Sequence, residues 1–180
     1  RYDSVLAHIG ICWGVSAILF MFIRSFYVRL IVALLLLLGH WLILVSFTAP
    51  DAAALLASTD PAVAKHVAMY AAYGTDCFSF TGNIAGWIDR TVMPGRLHEV
   101  GIFDPDGLLG KMTGVVTAML GVFSGELLRK GNLSGNRKTL ILAAAGAVSL
   151  ALCLAWRPWC PVNKKIWTST FILAAGAYSF

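Results

Sequence analysis

Between Thr81 and Gly110 the chain reads TGNIAGWIDRTVMPGRLHEVGIFDPDGLLG, and with Lys111 this stretch gathers Asp89, Arg90, Arg96, His98, Glu99, Asp104 and Asp106. Carboxylates accept protons and bind cations or hydroxyls, while an arginine and the Asn83 amide orient oxygens. Asp104-Pro105-Asp106-Gly107 has turn chemistry. Asp106, placed just before Gly107-Leu108-Leu109, is expected to cap a following helix, whose first N–H groups and partial positive charge suit an anion or a carbonyl oxygen. The chain lacks a phosphate-cradling glycine loop, a GxSxG elbow, HExxH and CxxC.

A second polar group, RPWCPVNKK from Arg157 to Lys165, offers Asn163, Lys164 and Lys165. It reads either as an interfacial anchor, with Trp156, Trp159 and Trp167 as an aromatic belt and long basic chains snorkelling, or as a cationic patch facing an anionic ligand or the acidic stretch. His8 and His40 fall inside apolar windows, where an ionisable ring needs a polar cavity or a bonding neighbour. Glu126 and Arg129 have the i to i+3 spacing of an interfacial ion pair. Of Cys12, Cys77, Cys153 and Cys160, the second and fourth lie in loops expected on one side, where a disulfide is one reading; the spacings do not suit a metal.

These groups need positioning elements, and the composition says in which solvent. The chain is 58% hydrophobic with mean hydropathy +0.76 and 13% charged, against about 25% charged in soluble domains. Such a chain cannot cover a water-facing surface and reads as an integral membrane protein. Apolar windows near the roughly 20 residues that span a bilayer predict helices at about 5–24, 28–48, 107–128, 138–156 and 166–180. The chain begins at Arg1 rather than Met and its last window still runs at Phe180, so it reads as a piece of a longer protein.

Basic residues in short loops orient membrane helices. RSFYVR, with Arg24 and Arg29, and RKGNLSGNRK, with Arg129, Lys130, Arg137 and Lys138, place 25–28 and 129–138 on the cytoplasmic side. Residues 49–106 and 157–165 then lie outside, and the first of these holds seven acidic and three basic residues, a net charge of −4. So long a segment is expected to contain elements of its own. Asp60 as N-cap, Pro61 at the first position and Gly74 as stop predict one short surface helix; Ile84, Trp87, Ile88 and Met93, ended by Pro94-Gly95, predict another. The GxxxG pairs Gly10/Gly14, Gly110/Gly114 and Gly121/Gly125 are expected to pack helices closely.

GNIAGWIDR, FDPDGLLG and PVNKKIW together resemble the heparan-α-glucosaminide N-acetyltransferase family and its bacterial relatives. The matching positions are Asn83, Ala85, Ile88, Asp89 and Arg90, then Asp104, Pro105, Asp106, Gly107, Leu108 and Leu109, with Gly121 and Gly125 after them. Pro161, Val162, Asn163, Lys164, Lys165 and Trp167 follow, and VLAHIGICW resembles the family's opening helix. The chain departs from the family pattern at Ala7-His8, where the family has Gln-Arg, at Gly95-Arg96-Leu97-His98, and at Asp106, where the family has Glu.

The resemblance implies a polytopic transmembrane acyltransferase that moves an acetyl group from acetyl-CoA to the amine of a glucosamine-type sugar across a membrane, a bacterial inner membrane being expected. It implies an acceptor site of Asn83, Asp89, Arg90, Asp104, Asp106 and Asn163, with Lys164 and Lys165 toward coenzyme A and no metal. The family's catalytic histidine lies upstream of Arg1, so no residue here inherits that role. The expectation is thus an all-α bundle of about five spans forming one domain over 1–180, with 49–106 as an exterior subregion. Its expected partners are membrane lipid and an amino-sugar acceptor, with a homodimer admitted. The net charge of +5 suits anionic headgroups and needs no nucleic acid. The alternative is a permease with His8 and His40 on its path, although no repeat or broken helix of the transporter kind is apparent.

Overall fold

A computed structural model describes residues 4–69, 76–93, 97 and 102–180. The described residues form helices and connecting turns, with one isolated bridge between Thr48 and Asn83. In order these are α1 (Val5–Phe22), α2 (Phe26–Ser46), α3 (Ala52–Leu56), α4 (Pro61–Met69), α5 (Ile84–Val92), α6 (Gly110–Arg129), α7 (Gly135–Trp156) and α8 (Ser169–Ser179). Four of them, α1, α2, α6 and α7, are long and apolar enough to cross a membrane. The protein is a helical integral membrane protein. The fifth expected span differs: α8 has 11 residues, because the chain from Cys160 to Thr168 is held in turns that delay helix formation.

The long helices turn their apolar side chains outward, with Leu35 61% and Leu140 70% exposed, as expected where lipid is the solvent. α1 packs along α6 and α8 along α7, with α2 against α6. Between them lies a core of Cys12, Ala33, Leu37, Val115, Val116, Met119, Cys153, Ile172 and Leu173. A second core, Leu44, Phe80, Ile84, Ala85, Ile102, Phe103, Leu109 and Ile166, joins the end of α2 to α5 and the start of α6. One end of the bundle therefore carries the 76–93 and 102–109 segments and the 157–168 loop, the acidic end. The other carries the 23–25 and 130–134 turns, the basic end.

Two expectations about glycine and arginine change. Gly114 is a true close approach: a Cβ there would fall 2.6 Å from Cys12 Sγ and 2.7 Å from His8 Nε2. Gly110 abuts Trp167 of the loop before α8, and Gly10, Gly14, Gly121 and Gly125 face open space, so of these glycines Gly114 is the one that brings two helices together. Arg29, read as a turn cation, lies one turn inside α2 and is 4% exposed. Its Nη2 donates to Glu126 Oε1 at 2.9 Å, so Glu126 pairs across helices with Arg29 rather than along its own helix with Arg129.

Candidate functional site

The acidic end is built from Asp76 upward. Asp76 Oδ1 accepts from Phe78 N at 3.1 Å, Ser79 Oγ donates to the Asp76 carbonyl at 2.7 Å, and Gly82 N donates to Ser79 Oγ at 2.8 Å. This turn delivers Asn83 to the N-cap of α5, where its Oδ1 accepts from Gly86 N at 2.6 Å and its Nδ2 donates to the Ser79 carbonyl. Asn83 is fully buried, with its amide used at both ends. α5 was expected to lie on the membrane surface. Instead it buries Ile84, Ala85, Gly86 and Asp89, because Phe103 and Leu44 offer it an apolar seat. The other short helix starts as expected, with Ala62 N donating to Asp60 Oδ1 at 2.8 Å. Its stop at Gly74, the Pro94-Gly95 ending, and Arg96, His98 and Glu99 lie outside the described residues.

Neighbouring positions on α5 point about 100° apart, and Asp89 and Arg90 use that divergence. Asp89, 1% exposed, accepts from Leu108 N at 2.9 Å through Oδ1. Its carboxylate lies so close to Gly107 that a Cβ on Gly107 would overlap it. Arg90 turns away, clasping Asp51 with two parallel bonds, Nε to Oδ2 at 2.9 Å and Nη2 to Oδ1 at 2.7 Å, while Nη1 donates to the Ile102 carbonyl. Such bidentate pairs are among the stronger ones. Arg90 thereby ties the segment after α2 to the segment before α6, and Asp51 is a partner that sequence reasoning did not single out.

The expected cap of the third span is corrected. The N-cap of α6 is Leu109, without a side-chain bond; Asp89, from another helix, supplies the carboxylate at this terminus. Lys111 N and Met112 N donate to the Leu108 and Leu109 carbonyls at 3.2 and 3.1 Å. Two N–H groups of the terminus are thus satisfied by its own carbonyls and a third by Asp89. Asp104, 3% exposed, accepts from Asp106 N at 3.0 Å in a tight turn. The Asp106 carbonyl receives Lys111 Nζ at 2.8 Å and approaches His8 Nδ1 at 3.5 Å. The Asp106 carboxylate is half-buried and has no hydrogen bond or ion pair among the described residues.

The 157–168 loop closes the other side. Asn163 Oδ1 accepts from Lys165 N at 2.9 Å, and Asn163 N donates to Thr168 Oγ1 at 2.9 Å. Lys165 Nζ sits 5.7 Å over the Phe80 ring, a cation–π contact that docks this loop on the acidic segment; Lys164 is exposed. Trp167, placed in the aromatic belt by sequence, instead stacks on His8 with ring centroids 4.5 Å apart. It has φ 51°, a left-handed conformation costing about 1–2 kcal/mol for such a residue. Thr113 Oγ1, donating to its carbonyl at 2.8 Å, and the His8 stack hold it there. Trp156 packs edge-on against Trp41 and Trp159 is 65% exposed.

Thr113, Thr168, Ser169 and Thr170 are fully buried. Sequence reasoning passed over them because hydroxyls, whether single like Thr113 or in a run like Thr168-Ser169-Thr170, carry no motif spacing. Cys77 and Cys160 are free thiols. Burial, then the Asp76 carboxylate, pushes the Cys77 thiol up; burial likewise raises Cys160. Among the described residues no three His, Cys, Asp or Glu side chains converge as metal ligands would.

The chain matches no family model. It is 28% identical over 117 positions to heparan-alpha-glucosaminide N-acetyltransferase of Homo sapiens, and 25% identical over 117 positions to the same-named protein of Mus musculus. Each match takes in 56% of this chain and 18% of the relative's length. The sequence is therefore distantly related, over about half its length, to a membrane N-acetyltransferase.

Proposed function

We propose that this chain forms the acceptor side of a membrane-embedded acetyltransferase, moving an acetyl group from acetyl-CoA to the amine of a glucosamine-type sugar. The observation that carries the reading is the distant relationship to the two N-acetyltransferases. The geometry of the acidic end sorts the roles. A sugar amine arrives as an ammonium and must lose a proton before it can attack a thioester. A carboxylate that makes no internal bond is the group to hold that ammonium, and Asp106 is such a group. Asp104 forms the turn that presents Asp106. Asp89, Asn83 and Asn163 brace the surrounding backbone, and Arg90 locks the segment's two ends. They are positioning residues, although they came from the same motifs.

Lys164 and Lys165 share the acidic end with the acceptor groups. A role for them toward coenzyme A requires the nucleotide to reach that end, and a donor entering from the basic end leaves them the docking role alone.

The test uses the full-length protein in proteoliposomes with labelled acetyl-CoA and glucosamine, following acetylated product and solute uptake together. Asp106→Asn is expected to lower transfer at least tenfold with unchanged thermal stability, and Asp106→Glu, which keeps the carboxylate, to retain most of it. Full transfer by Asp106→Asn would remove Asp106 from the acceptor site. Uptake of sugar without any acetylated product would favour a permease and overturn the proposal.

A further inference from the structure

At the basic end, a cavity of about 860 Å³ opens between α2, α6, α7 and α8. Its walls are apolar along Leu30, Leu34 and Leu37 of α2 and along Ile141, Val148 and Leu152 of α7. From Phe26 to Leu37 the α2 wall runs about 16 Å, a depth suited to an acyl chain. Its mouth is different: the charged residues lining the cavity are Arg29, Arg129, Lys130 and Glu126, three cations against one anion.

Arg29 is the unusual member. It is 4% exposed, and only its Nη2 has a partner, Glu126. Its Nε and Nη1 are buried with no hydrogen-bond partner, and the Phe20 ring lies 4.5 Å beneath the guanidinium. Buried N–H groups on a cation are costly to leave unmade. Charge-assisted bonds to a phosphate would satisfy them, since a guanidinium presents its donors in a fork matched to that geometry.

We propose that this cavity is a binding site for an anionic membrane phospholipid, its phosphate on Arg29 with Arg129 and Lys130 at the mouth, and an acyl chain between α2 and α7. The site is separate from the acidic end, and it stands whether or not the acetyl-transfer reading does.

The test is native mass spectrometry of the full-length protein in detergent with phosphatidylglycerol, with diacylglycerol of the same chains, and with inorganic phosphate as competitor. Phosphatidylglycerol is expected to be retained at least tenfold over diacylglycerol and to resist millimolar phosphate. The double variant Arg29→Gln/Glu126→Gln removes both charges together, so that no lone buried ion remains, and is expected to erase that preference. Ala145→Trp, which fills the cavity from α7 without touching the ion pair, is expected to cut retention of phosphatidylglycerol at least tenfold; it decides the matter if the double variant does not fold. Undiminished retention by either folded variant overturns the site. So does wild-type protein that retains no lipid, as when another part of the protein fills the cavity, and so does complete displacement by phosphate, which marks a free-anion site.

Discussion

Asp89 and Asp106 are both carboxylates of the acidic end, yet they differ in what holds them. Asp89 is buried and accepts from Leu108 N, so Asp89→Ala removes a hydrogen bond to a charged group and is expected to cost about 2 kcal/mol. Asp106→Ala, losing no side-chain bond, is expected to stay within about 0.5 kcal/mol of wild type. Thermal unfolding in detergent, read beside the transfer assay, separates the two. Gly107 follows from Asp89: Gly107→Ala drives a methyl into the carboxylate, whereas Gly121→Ala meets nothing within 4 Å. The first is expected to lose folded yield and the second to match wild type. Cys77 offers a pH reading. Its thiol is raised by burial and then by Asp76, so less thiolate is present at any given pH. Alkylation of Cys77 is expected to be slower at pH 8 than that of an unhindered thiol, to climb at more alkaline pH, and to quicken in Asp76→Asn; equal rates with and without Asp76 would contradict the electrostatic part.

At the scale of elements, α5 is a short helix that does not rely on its own nine residues. Asn83 caps it, and the Arg90 clasp on Asp51 moors it to the exit of α2. Loss of a buried cap costs about 1 kcal/mol or more, so Asn83→Ala is expected to lower the melting temperature while Asn83→Asp keeps most of it. Arg90→Lys retains the charge but cannot reproduce the parallel bonds. Limited proteolysis between α2 and α6 is expected to quicken in Arg90→Lys, and to quicken equally in Asp51→Asn if the clasp is the cause. The 160–170 loop follows the same principle with hydroxyls, as Thr168 and Thr170 bond backbone and thiol groups around Cys160.

For the whole molecule, cations outnumber anions at the basic end, while at the other end the carboxylates are offset by Arg157, Lys164 and Lys165; from the positive-inside rule we propose that the basic end faces the cytoplasm. With native cysteines replaced, Thr91→Cys at the acidic end and Ser134→Cys at the basic end, both exposed, are expected to react with an impermeant maleimide from opposite sides of a sealed vesicle. Labelling of both from one side would refute the arrangement of spans. The two ends would then serve different ligands: hydroxylated amines at the acidic end and, as proposed above, a phosphate-headed lipid at the basic end.

Fold class and solvent were legible in the sequence because they are bulk properties: long apolar windows bury backbone only as helices in lipid, whatever their neighbours. The motif segments were legible too, as dense polar chemistry in an oily chain. What each residue does there was not, because roles depend on partners distant in sequence. Asp89 lies nineteen positions from Leu108, Arg90 thirty-nine from Asp51, and Arg29 ninety-seven from Glu126. Local spacing proposed Asp106 as the cap and Glu126–Arg129 as the pair, since these were near in sequence. Only the packing of α5 on the start of α6, and of α2 on its end, decided which carboxylate is spent on the fold and which stays open.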